Sequence, residues 1–252
     1  MPTHKQLMER LFTIITCTYN AADTLERTLR SVDEQTFGDY EHLVVDGAST
    51  DATAAIAAAH PSELRTFVSE PDRGLYDAMN KGIGMAGGRY LIFLNAGDKF
   101  HGPDTLQRLA DAACANNMPG VLYGQTVLVD NEGGNPRPRH LTAPEQLTLQ
   151  SFANGMVVCH QAFVALRRLV GFYDLRYRFS ADYDWCIRCL QHSRKNVYLG
   201  DEPLIDYLDE GLTTRNRRAS LRERFSIMAY YYGRLPTALR HVRFLVRHLR
   251  RK

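Results

Sequence analysis

The carboxylates of this chain cluster where apolar runs break into turns. In RYLIFLNAGD, residues 89–98, an apolar stretch from Tyr90 to Leu94 runs straight into Asn95, Ala96, Gly97 and Asp98. A turn tolerates Asn, Gly and Asp. The other reading puts Asp98 at the carboxyl end of a parallel strand buried on both faces, where open α/β sheets bind ligands. YEHLVVD likewise ends in Asp46, followed by Gly47 and ASTDAT. A carboxylate there can accept from a ribose hydroxyl or a base N–H, and the glycine lets a flat ring approach the backbone. The same residues also read as a helix start, with Ser49 or Thr50 capping and Asp51 supporting the first turn. Asp98 suits a divalent metal, because hard cations such as Mg²⁺ or Mn²⁺ bind through one or two carboxylates plus substrate phosphates. Asp182 and Asp184 in FSADYDWCIR alternate with Tyr183. On a helix they point in different directions, so at most one faces a cleft as a general base for an incoming hydroxyl. Both also favour the N-terminus of the following helix.

The elements that would position these groups alternate. LFTIITCTY is a first strand, and Asn20 looks like the N-cap of a helix with Leu25, Leu29 and Val32 on one stripe. YEHLVVD is a second strand before an alanine-rich helix, and LRTFVSE holds a short third. PDRGLYDAMNKGIGMAGG carries Leu75, Met79 and Ile83 at helical spacing and is stopped by Gly87-Gly88. RYLIFL is the fourth strand. This β-α-β-α-β-α-β order predicts a doubly wound, mostly parallel α/β sheet whose strand ends share one edge. That edge gathers Tyr19-Asn20, Asp46-Gly47, Glu70-Pro71-Asp72 and residues 95–98. A helix over 104–116, a strand VLYGQTVLVD and an exposed hairpin or loop NEGGNPRPRH follow. No GxGxxG follows the first strand and no GxxxxGK[ST] is present, so neither a dinucleotide fingerprint nor a P-loop is expected.

The 252 residues suit one large α/β domain with an appendage, divided here into 1–214 and a basic helical segment 215–252. That segment holds twelve Lys or Arg and a single acid, Glu223, so the chain's net charge of +3 belongs to its end. From Pro236, Ala238, Leu239, Val242, Leu245, Val246 and Leu249 form an apolar face opposite Arg240, Arg243, Arg247 and Arg250. Such a helix suits an anionic membrane surface, with docking on the protein's own core or on a second subunit as the alternatives. The aromatics of the segment precede its charges instead of interleaving with them, which argues against nucleic acid. No apolar run approaches the roughly 18 residues of a membrane span. Five scattered cysteines without a secretory signal argue for a cytoplasmic chain. The Cys186-Cys189 pair is expected to pack in a helix.

In this order the clusters resemble those of the family 2 glycosyltransferases of the GT-A fold, in particular the bacterial exopolysaccharide branch with colanic-acid-type enzymes. The matching pieces are FTIITCTYNAADTLERTLRSV, LVVDGASTDAT, VSEPDRGLYDAMNKGIGMAGGRYLIFLNAGD, CHQAFV and FSADYDWCIR, with a weaker echo in YLDEGLTT. The resemblance implies inverting transfer of a hexosyl or N-acetylhexosaminyl unit from a UDP-, GDP- or dTDP-sugar, with Mn²⁺ or Mg²⁺. The acceptor would be a lipid-linked glycan, and the enzyme would sit peripherally at the inner face of the plasma membrane. It assigns Thr18, Tyr19, Asn20, Asp46, Gly47 and Asp72 to the nucleotide pocket, and Arg73 and Lys81 to the phosphates. Asn95, Ala96 and Gly97 belong to the metal motif that ends in Asp98. Asp182 matches the general base, and His160 and Gln161 would lie near the sugar or acceptor. Gly97 stands where the family usually has an acid, so the metal rests on Asp98, water and diphosphate. Ala181 replaces a frequent Glu. A nucleotide-sugar-binding protein without catalysis is the alternative, and retention of Asp98 and Asp182 argues against it.

Overall fold

Along β1 (Phe12–Thr18), Phe12 and Ile14 pack into one layer of the molecule while Ile15 and Cys17 pack into the other. A strand with apolar side chains on both faces needs cover on both, which a central parallel strand obtains from flanking helices. The structure, a computed structural model, describes residues 9–130, 133–209 and 216–249. β2 (Tyr40–Asp46) and β4 (Tyr90–Phe93) flank β1 in parallel, and β3 (Arg65–Ser69) extends the sheet beyond β2. The crossovers are α1 (Leu25–Asp33), α2 (Thr53–Ala59) and α3 (Leu75–Met85). Register places Thr18 beside Asp46 and Asp46 beside Ser69, so the loops leaving three strands begin at one level. The expected doubly wound half is therefore present.

Beyond β4 come β5 (Lys99–Phe100), α4 (Thr105–Ala115), β6 (Val121–Tyr123), β7 (Thr126–Val129) and β8 (Arg137–Pro138). β9 (Phe163–Leu166), α5 (Ala181–His192), β10 (Asn196–Tyr198), β11 (Ile205–Leu208), α6 (Arg217–Tyr232) and α7 (Arg234–Leu249) complete the chain. The main sheet runs β10-β6-β9-β4-β1-β2-β3, with β9 antiparallel to both its neighbours. A smaller sheet, β5-β11-β7-β8, lies beside it. VLYGQTVLVD is not one strand: it bends at Gly124 and supplies β6 to one sheet and β7 to the other. A Cβ at Gly124 would stand 2.8 Å from Leu204, so only glycine permits the bend against that leucine.

Trp185 and Tyr183 of α5 are fully buried with Phe93, Phe152 and Phe163. Cys186 and Cys189 pack in the same core as free thiols. On the opposite face α4 supplies Leu106, Leu109 and Ala113. The division expected near residue 214 falls outside the described residues, yet α6 is built into the main body. Its Ile227 and Met228 are buried in the core of α3 and α5. The hydroxyl of Tyr231 donates to Asp184 at 2.8 Å, and that of Tyr232 donates to the Leu149 carbonyl at 2.8 Å. α7 folds back on α6, where His241 meets Phe225 and Phe244 edge-on. Among the described residues no helix is long and apolar enough to cross a membrane.

Candidate functional site

A cleft of about 1500 Å³ opens at the carboxyl ends of β1, β2 and β4, roofed by the segments around α5 and α6. Thr18, Tyr19, Gly47 and Asp72 line one end. Tyr19 is 63% exposed, and a Cβ at Gly47 would lie 3.3 Å from its ring and 2.5 Å from the Asp72 carboxylate. Glycine thus keeps open a slot with one aromatic wall and one carboxylate. Asp72 fixes its own loop by accepting the Gly74 N–H at 2.8 Å. Gly74, at φ +119°, is the residue that lets the chain turn there into α3. The buried Thr18 hydroxyl has no hydrogen-bond partner among the described residues.

Two residues assigned to this pocket do not line it. Asp46 is fully buried and does not line the cleft. Its oxygens accept the Ser49 N–H at 2.9 Å, the Ser49 hydroxyl at 2.5 Å and the Ser69 hydroxyl at 2.6 Å. It ties the loop after β2 to the end of β3. Asn20 is likewise turned away: at φ 47° its side chain accepts the Thr50 N–H at 2.9 Å, and its own N–H donates to Ser49. Nor does it cap α1, which starts after Thr24. Ser49 and Thr50 join these two loops instead of capping α2, while Asp51 does support its first turn by accepting the Thr53 N–H at 2.9 Å.

The two cations assigned to phosphates have other partners. Lys81 lies outside the cleft, bound to Glu70 at 2.9 Å and to the Pro71 carbonyl at 2.8 Å, so it braces the Asp72 loop from behind. Arg73 is on the rim, largely exposed and paired with Asp77 one helical turn on.

Asn95, Ala96 and Asp98 line the middle of the cleft. Gly97 does not: it turns the loop at φ +100°, and a Cβ there would stand 2.6 Å from Leu208. That contact is the physical reason for glycine where an acid is usual. Thr28 of α1 holds the loop, its hydroxyl accepting the Gly97 N–H at 2.9 Å and donating to the Asp98 carbonyl at 2.7 Å. The Asp98 carboxylate accepts the Leu208 N–H at 3.0 Å and the Gln161 amide at 2.9 Å. Burial pushes its carboxyl up to about 7, with those two hydrogen bonds pulling the other way. Gln161 therefore positions Asp98. Among the described residues no three His, Cys, Asp or Glu side chains converge. The donor set still suits a hard cation: a desolvated carboxylate with spare lone pairs, beside the buried Asn95 Oδ1 that lacks a partner. The remaining ligands would come from substrate and water.

Asp182 lines the same cleft from the first turn of α5. The Tyr76 hydroxyl donates to its Oδ1 at 3.0 Å, as does the Tyr183 N–H at 2.9 Å, so both bonds leave Oδ2 to the cleft. Asp184 points the other way, buried between Arg188 and Tyr231, each at 2.8 Å. His160 lines the cleft wall, packed between Phe93 and Trp185 with Nε2 at 2.6 Å from the Tyr173 hydroxyl. Burial lowers its pKa to about 4, so it is neutral.

Sequence reasoning missed Tyr76, Arg139, Arg178 and Arg224, all of which line the cleft. Arg224 was counted only within a basic run. The signal available was the spacing of Glu223 and Arg224, of which one binds the backbone of Arg178 and Phe179 and the other faces the cleft.

Comparison with known proteins adds a lineage to this geometry. The glycosyl transferase family 2 profile matches residues 13–170. A PGL/p-HBAD biosynthesis glycosyltransferase of Mycobacterium bovis BCG is 36% identical over 188 residues, 72% of this chain and 70% of the relative. A putative teichuronic acid biosynthesis glycosyltransferase of Bacillus subtilis, TuaG, is 28% identical over 151 residues, 59% of each chain. The fold is similar to that of S. aureus TarS 1–349, with a TM-score of 0.70 at 18% identity over 94% of this chain and 71% of that one. A mannosyltransferase of Pyrobaculum calidifontis, solved with GDP-Man and Mn²⁺, gives a TM-score of 0.59 at 20% identity over 93% and 74%. With more than half of its length inside the profile and its carboxylates gathered in one cleft, the chain belongs to glycosyl transferase family 2 and has the GT-A fold.

Proposed function

We propose that this glycosyltransferase moves a hexosyl or N-acetylhexosaminyl unit, with inversion, from a nucleoside-diphosphate sugar to a hydroxyl of a lipid-linked glycan. The product would be a cell-surface polysaccharide or glycolipid, a reading supported by the names of the mycobacterial and Bacillus relatives. One observation carries the chemistry: Asp98 and Asp182 share one cleft, and among the described residues neither is held in an ion pair. The slot of Tyr19, Gly47 and Asp72 takes the nucleotide, with the base against the Tyr19 ring. TarS solved with UDP-GlcNAc, a similar fold at TM-score 0.68, is in keeping with a ligand of this kind. A divalent cation, held by Asp98 and Asn95, would supply charge neutralisation to the departing diphosphate. Asp182 Oδ2 accepts the acceptor's hydroxyl proton while that oxygen bonds to the anomeric carbon and the bond to diphosphate breaks on the opposite face. Tyr76 keeps Asp182 oriented by donating to Oδ1. His160, neutral and aromatic-packed, bounds the sugar subsite without titrating at physiological pH. The enzyme would work peripherally at the inner face of the plasma membrane.

Screening UDP-, GDP- and dTDP-sugars for Mn²⁺-dependent donor hydrolysis tests this reading. One donor class should turn over, and the α- or β-configuration of the released sugar should be opposite to that of the donor. Asp98→Asn should abolish the added thermal stabilisation that Mn²⁺ gives to the nucleotide complex. Tight nucleotide binding with neither hydrolysis nor transfer would favour a binding protein instead.

A further inference from the structure

Arg178 and Arg224 line the same cleft as Asp182. Among the described residues neither takes part in an ion pair, whereas Arg73 on the cleft rim is paired with Asp77 and Arg137 with Asp209. The arrangement is built from two segments. The Glu223 carboxylate accepts the N–H of Arg178 at 2.9 Å and of Phe179 at 2.8 Å, pinning α6 to the turn that leads into α5. The next residue of α6, Arg224, then lies with its guanidinium 5.9 Å from the Tyr183 ring centroid, next in sequence to Asp182. Among the described residues its buried Nε has no acceptor. A desolvated guanidinium N–H without a partner is costly, and the planar fork of arginine matches a phosphate. Both arginines are tied to the turn that bears Asp182, whereas the slot that takes the nucleotide is built by Tyr19, Gly47 and Asp72 from the loops after β1, β2 and β3.

We propose that Arg178 and Arg224 form an anion subsite at the acceptor end of the cleft, and that the acceptor carries a phosphate or diphosphate near the hydroxyl that is glycosylated. The inference rests on the reading under Proposed function. There the donor's own phosphates are met at Asp98, and the group facing Asp182 is the acceptor. An acceptor of this class holds its charge against the arginines while its hydroxyl reaches Asp182 Oδ2. A neutral glycan leaves the buried Arg224 N–H unsatisfied and binds more weakly.

The test saturates the protein with whichever of UDP, GDP or dTDP stabilises it, then titrates inorganic pyrophosphate by calorimetry without divalent cation. Pyrophosphate should bind the saturated parent. Arg178→Gln and Arg224→Gln should each weaken that binding by about tenfold, the worth of one charge-assisted hydrogen bond pair, and leave nucleotide affinity within about twofold. Retained nucleotide affinity also reports that the variants fold. Farnesyl diphosphate replaces pyrophosphate in a second arm. Tighter binding there than for pyrophosphate assigns the charge to a lipid diphosphate, and equal binding assigns it to a phosphate on the glycan. The proposal is overturned if pyrophosphate does not bind the saturated parent, or binds the variants as well as the parent. It is also overturned if the variants lose nucleotide affinity in equal measure, because the arginines then serve the donor. Failure of every nucleotide to bind would instead remove the reading on which this one stands.

Discussion

At the scale of single residues, one turn of α5 separates chemistry from architecture. Asp182 and Asp184 are the same side chain on the same helix, yet one opens to the cleft and the other is locked between Arg188 and Tyr231. Asp182→Asn keeps the shape and loses the proton acceptor, so transfer should fall by roughly 10²- to 10⁴-fold, with nucleotide affinity by calorimetry unchanged. Asp184→Asn should do the reverse. It should lower the denaturant midpoint by the equivalent of about 1–3 kcal/mol and leave turnover per folded molecule near the parent value. A silent Asp182→Asn beside an inactive Asp184→Asn would move the base along the helix. The histidines give a pH dependence of definite sign. His160 is held neutral by burial, its pKa lowered from 6.5 to about 4. His42, also buried and receiving a hydrogen bond from Arg65 at 3.1 Å, is lowered well below 6.5. Below pH 6.5 the unfolded chain takes up protons at these histidines that the folded one refuses, so their contribution to stability is full above that value and is lost towards pH 4, while the buried Asp98, raised to about 7, contributes in the opposite sense as it protonates in the folded state. At pH 5 His160 alone should account for about 2 kcal/mol of that loss. Urea midpoints at pH 7 and pH 5, compared between the parent and His160→Gln, isolate it from the opposing contribution of Asp98: the change from pH 7 to pH 5 should be less favourable to the parent by that amount. An equal difference in both would place the titration elsewhere.

At the scale of elements, the site is a product of strand register. Parallel pairing sets Asp46 beside Ser69 and Thr18 beside Asp46, and the loops that leave those positions are then laced together by Asp46, Asn20 and Ser49. Asp46→Ala should therefore cost stability as well as nucleotide affinity, because two serine hydroxyls and an N–H lose the buried carboxylate that accepts from them. Asp72→Ala, at the cleft surface, should weaken nucleotide binding with a much smaller change in melting temperature. If Asp46→Ala weakened binding at unchanged stability, Asp46 would be a direct ligand after all. This contrast also marks what could be read from the sequence. Apolar runs ending in acids were enough to place β1, β2 and β4 and the shared edge, since both faces of a central strand must be apolar. They could not say which polar side chain at a strand end points up into the cleft and which points down to hold its neighbour. That depends on loops such as the one at Asn20, where a left-handed residue reverses the expected direction. For the same reason Lys81 reads like a phosphate ligand and serves as a brace, and VLYGQTVLVD reads as one strand and divides at Gly124 against Leu204. The Glu223-Arg224 pair was too slight a signal to bring Arg178 and Arg224 to one cleft, because that depends on a helix more than 40 positions away in the chain, held to the turn by Glu223.

At the scale of the whole molecule, α6 and α7 divide the labour expected of a single basic tail. α6 completes the cleft with Arg224 and buries Ile227 and Met228 in the core. α7 turns Thr237 and Phe244 inward and leaves Leu235, Leu239 and Val242 72%, 57% and 59% exposed on its outer face. The side chains of Leu245, Val246, Arg247, Leu249 and Arg250, assigned by the sequence to the faces of this helix, lie outside those described. Among the described residues this stripe does not dock on the protein's own core. Exposed Arg234 and Arg243 flank the stripe, in a segment of twelve basic residues and one acid. Apolar side chains ringed by like positive charge suit an anionic lipid surface better than a second copy of the same basic helix, which would repel it. Each basic residue at such a surface contributes on the order of 1 kcal/mol, and each leucine withdrawn from water about 1.5–3 kcal/mol. The protein should therefore sediment with vesicles of phosphatidylglycerol and remain in solution with vesicles of phosphatidylcholine. The pair Leu235→Glu and Leu239→Glu should reduce partitioning at least about a hundredfold and leave nucleotide affinity intact, since neither residue reaches the cleft. If the pair left vesicle binding unchanged but converted a dimer into a monomer by light scattering, the stripe would belong to a second copy of the chain.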